Sequence, residues 1–199
     1  MYGKLVVAFV IAFAAAIALV SGTASAQNQT ATNTTASNMT LGDAKDLYLS
    51  VWNQTAFNAT FSTYVQPFTA AGYGVYEEHD NVFDPGETMV LYVELVGYDH
   101  MHVMDDQGNI LYLMNMTADY IIASANGTEL QAIENVPAGS IVSHRPNTEL
   151  FLELSLTQDT PFPEGDYLIT YVITDEVSGE SFTIEKQVTV GQTVSVDTV

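Results

Sequence analysis

The stretch from Leu150 to Thr157 constrains the fold more than any other part of the chain. Leu150, Leu152, Leu154 and Leu156 alternate with Phe151, Glu153, Ser155 and Thr157, and a period of two puts the four leucines on one face of a strand. Full burial of side chains this size is worth ~1.5–3 kcal/mol each, so that face alone approaches the scale of a domain's net stability. It is assigned to the core. Strand patterning covers 149–157 as a whole and recurs at 74–77, 88–96, 110–113, 118–123, 166–174 and 181–190. The breaks carry turn chemistry: Asp84-Pro85-Gly86, Asp106-Gln107-Gly108-Asn109, Pro163-Glu164-Gly165-Asp166 and Val177-Ser178-Gly179. Seven short strands so punctuated predict an all-β fold, an antiparallel sandwich.

Upstream the period changes. Ala44, Leu47, Tyr48, Val51 and Trp52 recur at helical spacing behind Asp43, which is placed as the N-cap. A short amphipathic helix follows, and its tail, Phe57, Phe61 and Tyr64, fits either continued helix or a strand. Trp52, the single Trp, is assigned to core packing. The chain has no Cys, so the stability of a domain this size has to come from packing and sheet hydrogen bonds.

The first residues read as an address. Lys4 precedes an apolar run from Leu5 to Val20, and the small-residue exit Ala24-Ser25-Ala26 leads into Gln27. This is the pattern of a secretory signal peptide cleaved after Ala26. An uncleaved anchor is the competing reading, because the run approaches the ~17–25 residues needed to span a bilayer, but the Ala-x-Ala exit favours cleavage. No second apolar run of that length follows, so the mature chain is expected outside the cell or at its surface, with no transmembrane span. The expected organisation is a signal peptide over 1–26, a disordered Thr/Asn-rich tether over 27–40, the helix and its connection over 41–72, the sandwich over 73–191 and a tail over 192–199.

Seven of the eleven Asn residues begin Asn-x-Thr triplets: Asn28, Asn33, Asn38, Asn53, Asn58, Asn115 and Asn126. Chance would give about two at this Ser/Thr content, so they are read as N-glycosylation acceptors. Net charge is −20, and loss of the leader leaves Lys45, Arg145 and Lys186 against 24 carboxylates. With no basic patch to neutralise phosphates, nucleic acid and anionic lipid are excluded as partners.

Val82-Phe83-Asp84-Pro85-Gly86-Glu87 leading into Val90-Leu91-Tyr92-Val93-Glu94 resembles secreted immunoglobulin-like β domains. So do Pro163-x-Gly165-x-Tyr167 and Asp175-x-x-Ser178-Gly179, which resemble the turns of the closing hairpin in such modules. With the leader, the Thr-type triplets and the acidity, the chain is similar to exported immunoglobulin-like β-sandwich proteins of ammonia-oxidising archaea. The resemblance implies an immunoglobulin-like sandwich and an archaeal cell surface. It departs from antibody-type domains, which have paired Cys and an interior Trp.

Catalytic signatures are missing: there is no Cys nucleophile and no Gly-x-Ser-x-Gly turn, so no catalytic residue is assigned and the chain is read as a non-enzyme. A carboxylate-dependent glycan hydrolase remains the least favoured alternative. The sharpest local chemistry is Asp99-His100-Met101-His102-Val103-Met104-Asp105-Asp106. On an extended segment His100 and His102 share a face, and with Met104 they form a candidate copper site that Met114, Met116 or His144 could join on folding. The bland alternative makes the methionines core fillers and the histidines loop residues. Asp105, Asp106, Gln107 and Asn109 around Gly108 offer oxygen donors for calcium without EF-hand spacing. The leading expectation is therefore a secreted or cell-surface glycoprotein that acts as a structural or interaction module. Its partner would be a surface protein, a glycan or a second copy joined at a sheet edge, and extracellular copper binding or delivery is the alternative function.

Overall fold

The computed structural model describes residues 5–6, 40–158 and 160–191. The elements are β1 (Leu5–Val6), α1 (Leu41–Trp52), β2 (Asn58–Val65), β3 (Val82–Phe83), β4 (Met89–Val96), β5 (Met101–Met104), β6 (Ile110–Ser124), β7 (Glu129–Ser143), β8 (Leu150–Gln158), β9 (Gly165–Asp175) and β10 (Ser181–Val190). They build an all-β sandwich with an N-terminal helix. One sheet has the order β1-β8-β4-β2, and the other runs β3-β10-β9-β6 with β5 and β7 also on β6. Pairing is antiparallel throughout except for β3, which lies parallel to the end of β10. Apart from β1, which pairs with the end of β8 at Thr157 and Gln158, the predicted signal peptide and tether up to Met39 lie outside the described residues, as does the tail from 192.

The core is where period-two patterning places it. Leu150, Leu152, Leu154 and Leu156 are buried against Tyr167, Ile169, Tyr171 and Ile173 of the opposite sheet, with Met89, Leu91, Val93 and Leu95 between their neighbours. A buried Tyr64–Tyr171 hydroxyl contact at 3.3 Å joins the layers. One side of the sandwich is closed by Lys186, whose Nζ donates to the Ser62 carbonyl at 3.0 Å, and by the Phe57–Phe182 edge contact. The other is closed where β7 backs onto Leu152 at Gly139.

Several local expectations change. The helix is capped by Thr40 rather than Asp43, which sits at N3: Thr40 Oγ1 accepts the Asp43 amide at 3.2 Å while the Asp43 carboxylate accepts the Thr40 amide at 2.9 Å. This reciprocal box satisfies two helix-end donors where a lone Asp cap satisfies one. The stretch 58–65, open to either reading, is strand β2, so the sheets begin well before residue 73. The predicted strand at 74–77 is instead a loop held by the single bridges Gly72–Val75 and Val65–Glu78. Its Tyr76 covers Tyr92 on the outer face of the β4 sheet, where Val65, Ala70 and Val90 form a small second core. The strands expected at 110–113 and 118–123 are one continuous β6, because Met114 and Met116 keep the inward parity unbroken. β7 was not anticipated.

Candidate functional site

Three regions carry groups with chemical potential, and the fold decides what each can do. The first is the projecting β5–β6 hairpin. Among the described residues β5 pairs with the start of β6 alone, His102 opposite Tyr112 and Met104 opposite Ile110. Alternation therefore puts His102 and Met104 on one face of β5, and His100 precedes the strand. The His102 ring lies 4.9 Å from that of Tyr112 and the His100 ring 6.2 Å from it, so the tyrosine ring neighbours both imidazoles. His102 and Met104 are exposed and His100 is half-buried.

His100 Nε2 lies 2.9 Å from the Asn147 carbonyl. A carbonyl only accepts, so Nε2 carries the proton and Nδ1 keeps its lone pair. Burial holds the His100 pKa below the ordinary 6.5, and the Asn147 hydrogen bond only partly offsets this. Met114 and Met116 are buried in the sandwich core and cannot join a surface ligand set. His144 is exposed and near enough to Asp105 to help lower its pKa. Among the described residues no three His, Asp or Glu side chains converge on a common point.

The Asp105–Asn109 turn spends its first carboxylate on itself. Asp105 accepts the Gln107 and Asn109 amides at 2.9 and 2.8 Å and the Asn109 side-chain amide at 2.8 Å. Those bonds, Asn109's first, pull its pKa below the usual carboxylate range. His79, set among Glu77, Glu78 and Asp80 in the chain, is a structural strut. Its Nε2 meets Glu87 Oε1 at 3.1 Å and its ring stacks on Phe83 at 4.5 Å.

The second region is a set of buried phenols. Tyr64, Tyr98, Tyr120 and Tyr171 are all enclosed, and burial pushes their pKa values up, so they stay neutral at any physiological pH. Tyr98 forms an edge-to-face contact with Trp52 at 5.0 Å, and its carbonyl accepts the Trp52 indole N–H at 3.1 Å. This anchors α1, whose Leu41, Leu47, Tyr48 and Val51 stay exposed.

The third region is a polar cleft of about 320 Å³ where three connections meet. Asn53 to Ala56 come from the end of α1, Gly97 and Asp99 from the β4–β5 connection, and Ser178 and Glu180 from the β9–β10 turn. Buried Asp175 ties the last two together: its carboxylate accepts the Asp99 amide at 2.9 Å, the Ser178 hydroxyl at 2.8 Å and the Val177 amide at 2.9 Å. Gly97 has φ +73, and a Cβ there would lie 2.4 Å from the Thr55 carbonyl oxygen and 2.5 Å from that of Ala56. Only glycine lets the two segments meet. Sequence reading recovered the Asp175-x-x-Ser178-Gly179 turn but not the cleft, because its walls come from segments more than forty residues apart.

Four of the seven predicted glycosylation residues are described. Asn53, Asn58 and Asn126 are exposed and Asn115 is half-exposed, while Asn28, Asn33 and Asn38 lie outside the described residues. Among the described residues no helix is long and apolar enough to cross a membrane.

No protein-family model and no curated protein matches the chain. Among solved structures it is similar to a family 123 glycoside hydrolase from Clostridium perfringens, described for glycolipid glycan hydrolysis, with TM-score 0.35 and 11% identity. That match covers 70% of this chain and 27% of the other. The chain spans about a quarter of that structure's length, and the likeness says nothing of its chemistry.

Proposed function

We propose that this protein is a secreted or cell-surface glycoprotein that works as a non-catalytic structural or interaction module. The observation that carries the reading is the placement of the described Asn-x-Thr residues. All four reach the surface, where a glycan attaches without displacing a core side chain. The apolar arc of α1 and the exposed Met101, Met104, Ile110 and Val142 around the β5–β6 hairpin add contact surface for a protein partner or a second copy. The open edge of β5 suits strand addition. Intact-mass and glycopeptide analysis of protein from its own cells, with protease shaving of those cells, tests this. The reading requires glycan mass on the chain and loss of the protein on shaving, and a bare chain retained inside the cell refutes it.

A second reading rests on His100 and His102, whose rings both neighbour that of Tyr112, with Met104 further along β5: extracellular copper binding or delivery. Thioether and imidazole together suit reduced copper, and the free Nδ1 of His100 is the nitrogen able to bind. Metal analysis after copper loading and desalting decides it. One copper per chain, lost in the double variant His100→Ala with His102→Ala, supports it, and a metal-free protein excludes it.

A further inference from the structure

The polar cleft at the foot of α1 has an uncommon wall. Three consecutive residues of its lining, Asn53, Gln54 and Thr55, are themselves an Asn-x-Thr acceptor triplet. The rest is rich in acceptors. Gln54 Nε2 already donates to the Ser50 carbonyl at 2.8 Å, and Ser178 already donates to Asp175. Glu180 Oε2 receives only a long 3.4 Å bond from the Phe57 amide, and Asp99 adds a second carboxylate.

An anion is repelled by such a wall. Among the described residues no three His, Asp or Glu side chains converge to hold a metal ion there. A neutral, hydroxyl-rich group suits it best, because each hydroxyl donates a charge-assisted hydrogen bond to a carboxylate. The volume lies at the small end of the ~300–1,000 Å³ range of ligand pockets, the size of roughly one or two sugar rings.

None of the other three described triplets, at Asn58, Asn115 and Asn126, lines the cleft. Asn126 projects from the β6–β7 hairpin tip, its side chain bound to Ser124 and Thr128 of its own turn. Asn58 starts a strand and caps the amide of Ala59.

We propose that the cleft seats the first sugar of a glycan carried on Asn53, its hydroxyls donating to Asp99 and Glu180. The sugar then staples the foot of α1 to the β9–β10 turn. This rests on the glycoprotein reading above and gives one of its glycans a structural role. A helix otherwise held by Trp52 gains a second attachment, built of sugar.

The test compares wild type, Asn53→Gln and Asn126→Gln, each made in a glycosylating secretory host and in unglycosylated bacterial form. Glycopeptide occupancy and hydrogen exchange of the amides around residues 52–57 are measured. The expected result is an occupied Asn53 and a fall of about tenfold or more in amide protection for Asn53→Gln in the glycosylated form only, since local opening depends on local contacts. Asn126→Gln should leave those amides unchanged in both forms. The staple is overturned if Asn53 is bare while Asn58 and Asn126 are occupied, or if glycosylated Asn53→Gln and wild type exchange alike. Should every triplet be bare, the glycoprotein reading falls with it. Chemical shifts at Asp99, Ser178 and Glu180 on adding free N-acetylglucosamine to unglycosylated protein, with Asn53 bare in the secretory form, would reassign the cleft to a free saccharide and also overturn the staple.

Discussion

Strand β4 and helix α1 are both rich in apolar side chains, and the fold treats them differently. β4 lies between two neighbouring strands and buries Met89, Leu91, Val93 and Leu95 in the sandwich core, with Val90 and Tyr92 in the small second core on its other face. In α1 only Trp52 is buried. Burial depends on what covers a side chain more than on its polarity. The sandwich is complete across its layers, so the helix has one anchor point left to dock on, the Tyr98 carbonyl and ring. The rest of its apolar arc, Leu41, Leu47, Tyr48 and Val51, faces outward.

The contrast can be broken or sharpened by substitution. Leu154→Ala removes a fully buried leucine from the middle of the core and is expected to cost about 3–4 kcal/mol in urea unfolding. A cost under ~1 kcal/mol would mean a looser core than the structure shows. Gly97→Ala places a Cβ on two carbonyl oxygens in a left-handed conformation and should cost about 3 kcal/mol, read as a lower melting temperature. Trp52→Ala should cost about 2 kcal/mol, with hydrogen exchange showing α1 lost while β4 and β8 keep their protection. If the sandwich unfolds with it, the helix is part of the core after all.

A smaller effect is expected from pH. Burial lowers the folded His100 pKa below 6.5, so below that pH the unfolded chain binds a proton that the folded chain resists. Stability therefore falls as pH drops through 6.5 and levels off once folded His100 is also protonated. His100→Gln should flatten this part of the profile, compared by urea midpoints at pH 7.5 and 5.5. The smallest effect belongs to the helix face: Leu47→Ala should stay within about 0.5 kcal/mol, because Leu47 is already exposed.

Legibility followed the strength of the local pattern. β8 and β9 were readable because their alternation is clean and both ends carry turn residues. β7 was not. It is a strand paired to β6 alone, with Pro137 inside it, registry shifts along the pairing and Asn135 at φ 55. Pro survives there because no second neighbour needs its missing amide hydrogen. The Asn135 amide is held by Asp119 at 2.7 Å, a contact sixteen residues away that no periodicity announces. The alternation of His102 with Met104 along β5 is a matter of extended geometry alone. The exclusion of Met114 and Met116 needed the knowledge that β6 runs on through them.

By itself the sequence determined the inward leucine face of β8, the alternation of β9, the turns that flank them and the helix. These are short-range matters, set by side-chain periodicity, φ preferences and polarity. Tertiary structure alone decided that α1 stays largely uncovered, that His79 and Asp175 are struts, and that Asn53 to Ala56, Asp99 and Glu180 line one cleft. Those outcomes depend on which distant segments meet, and Gly97 shows how narrow the condition is: one added carbon would keep two backbones apart.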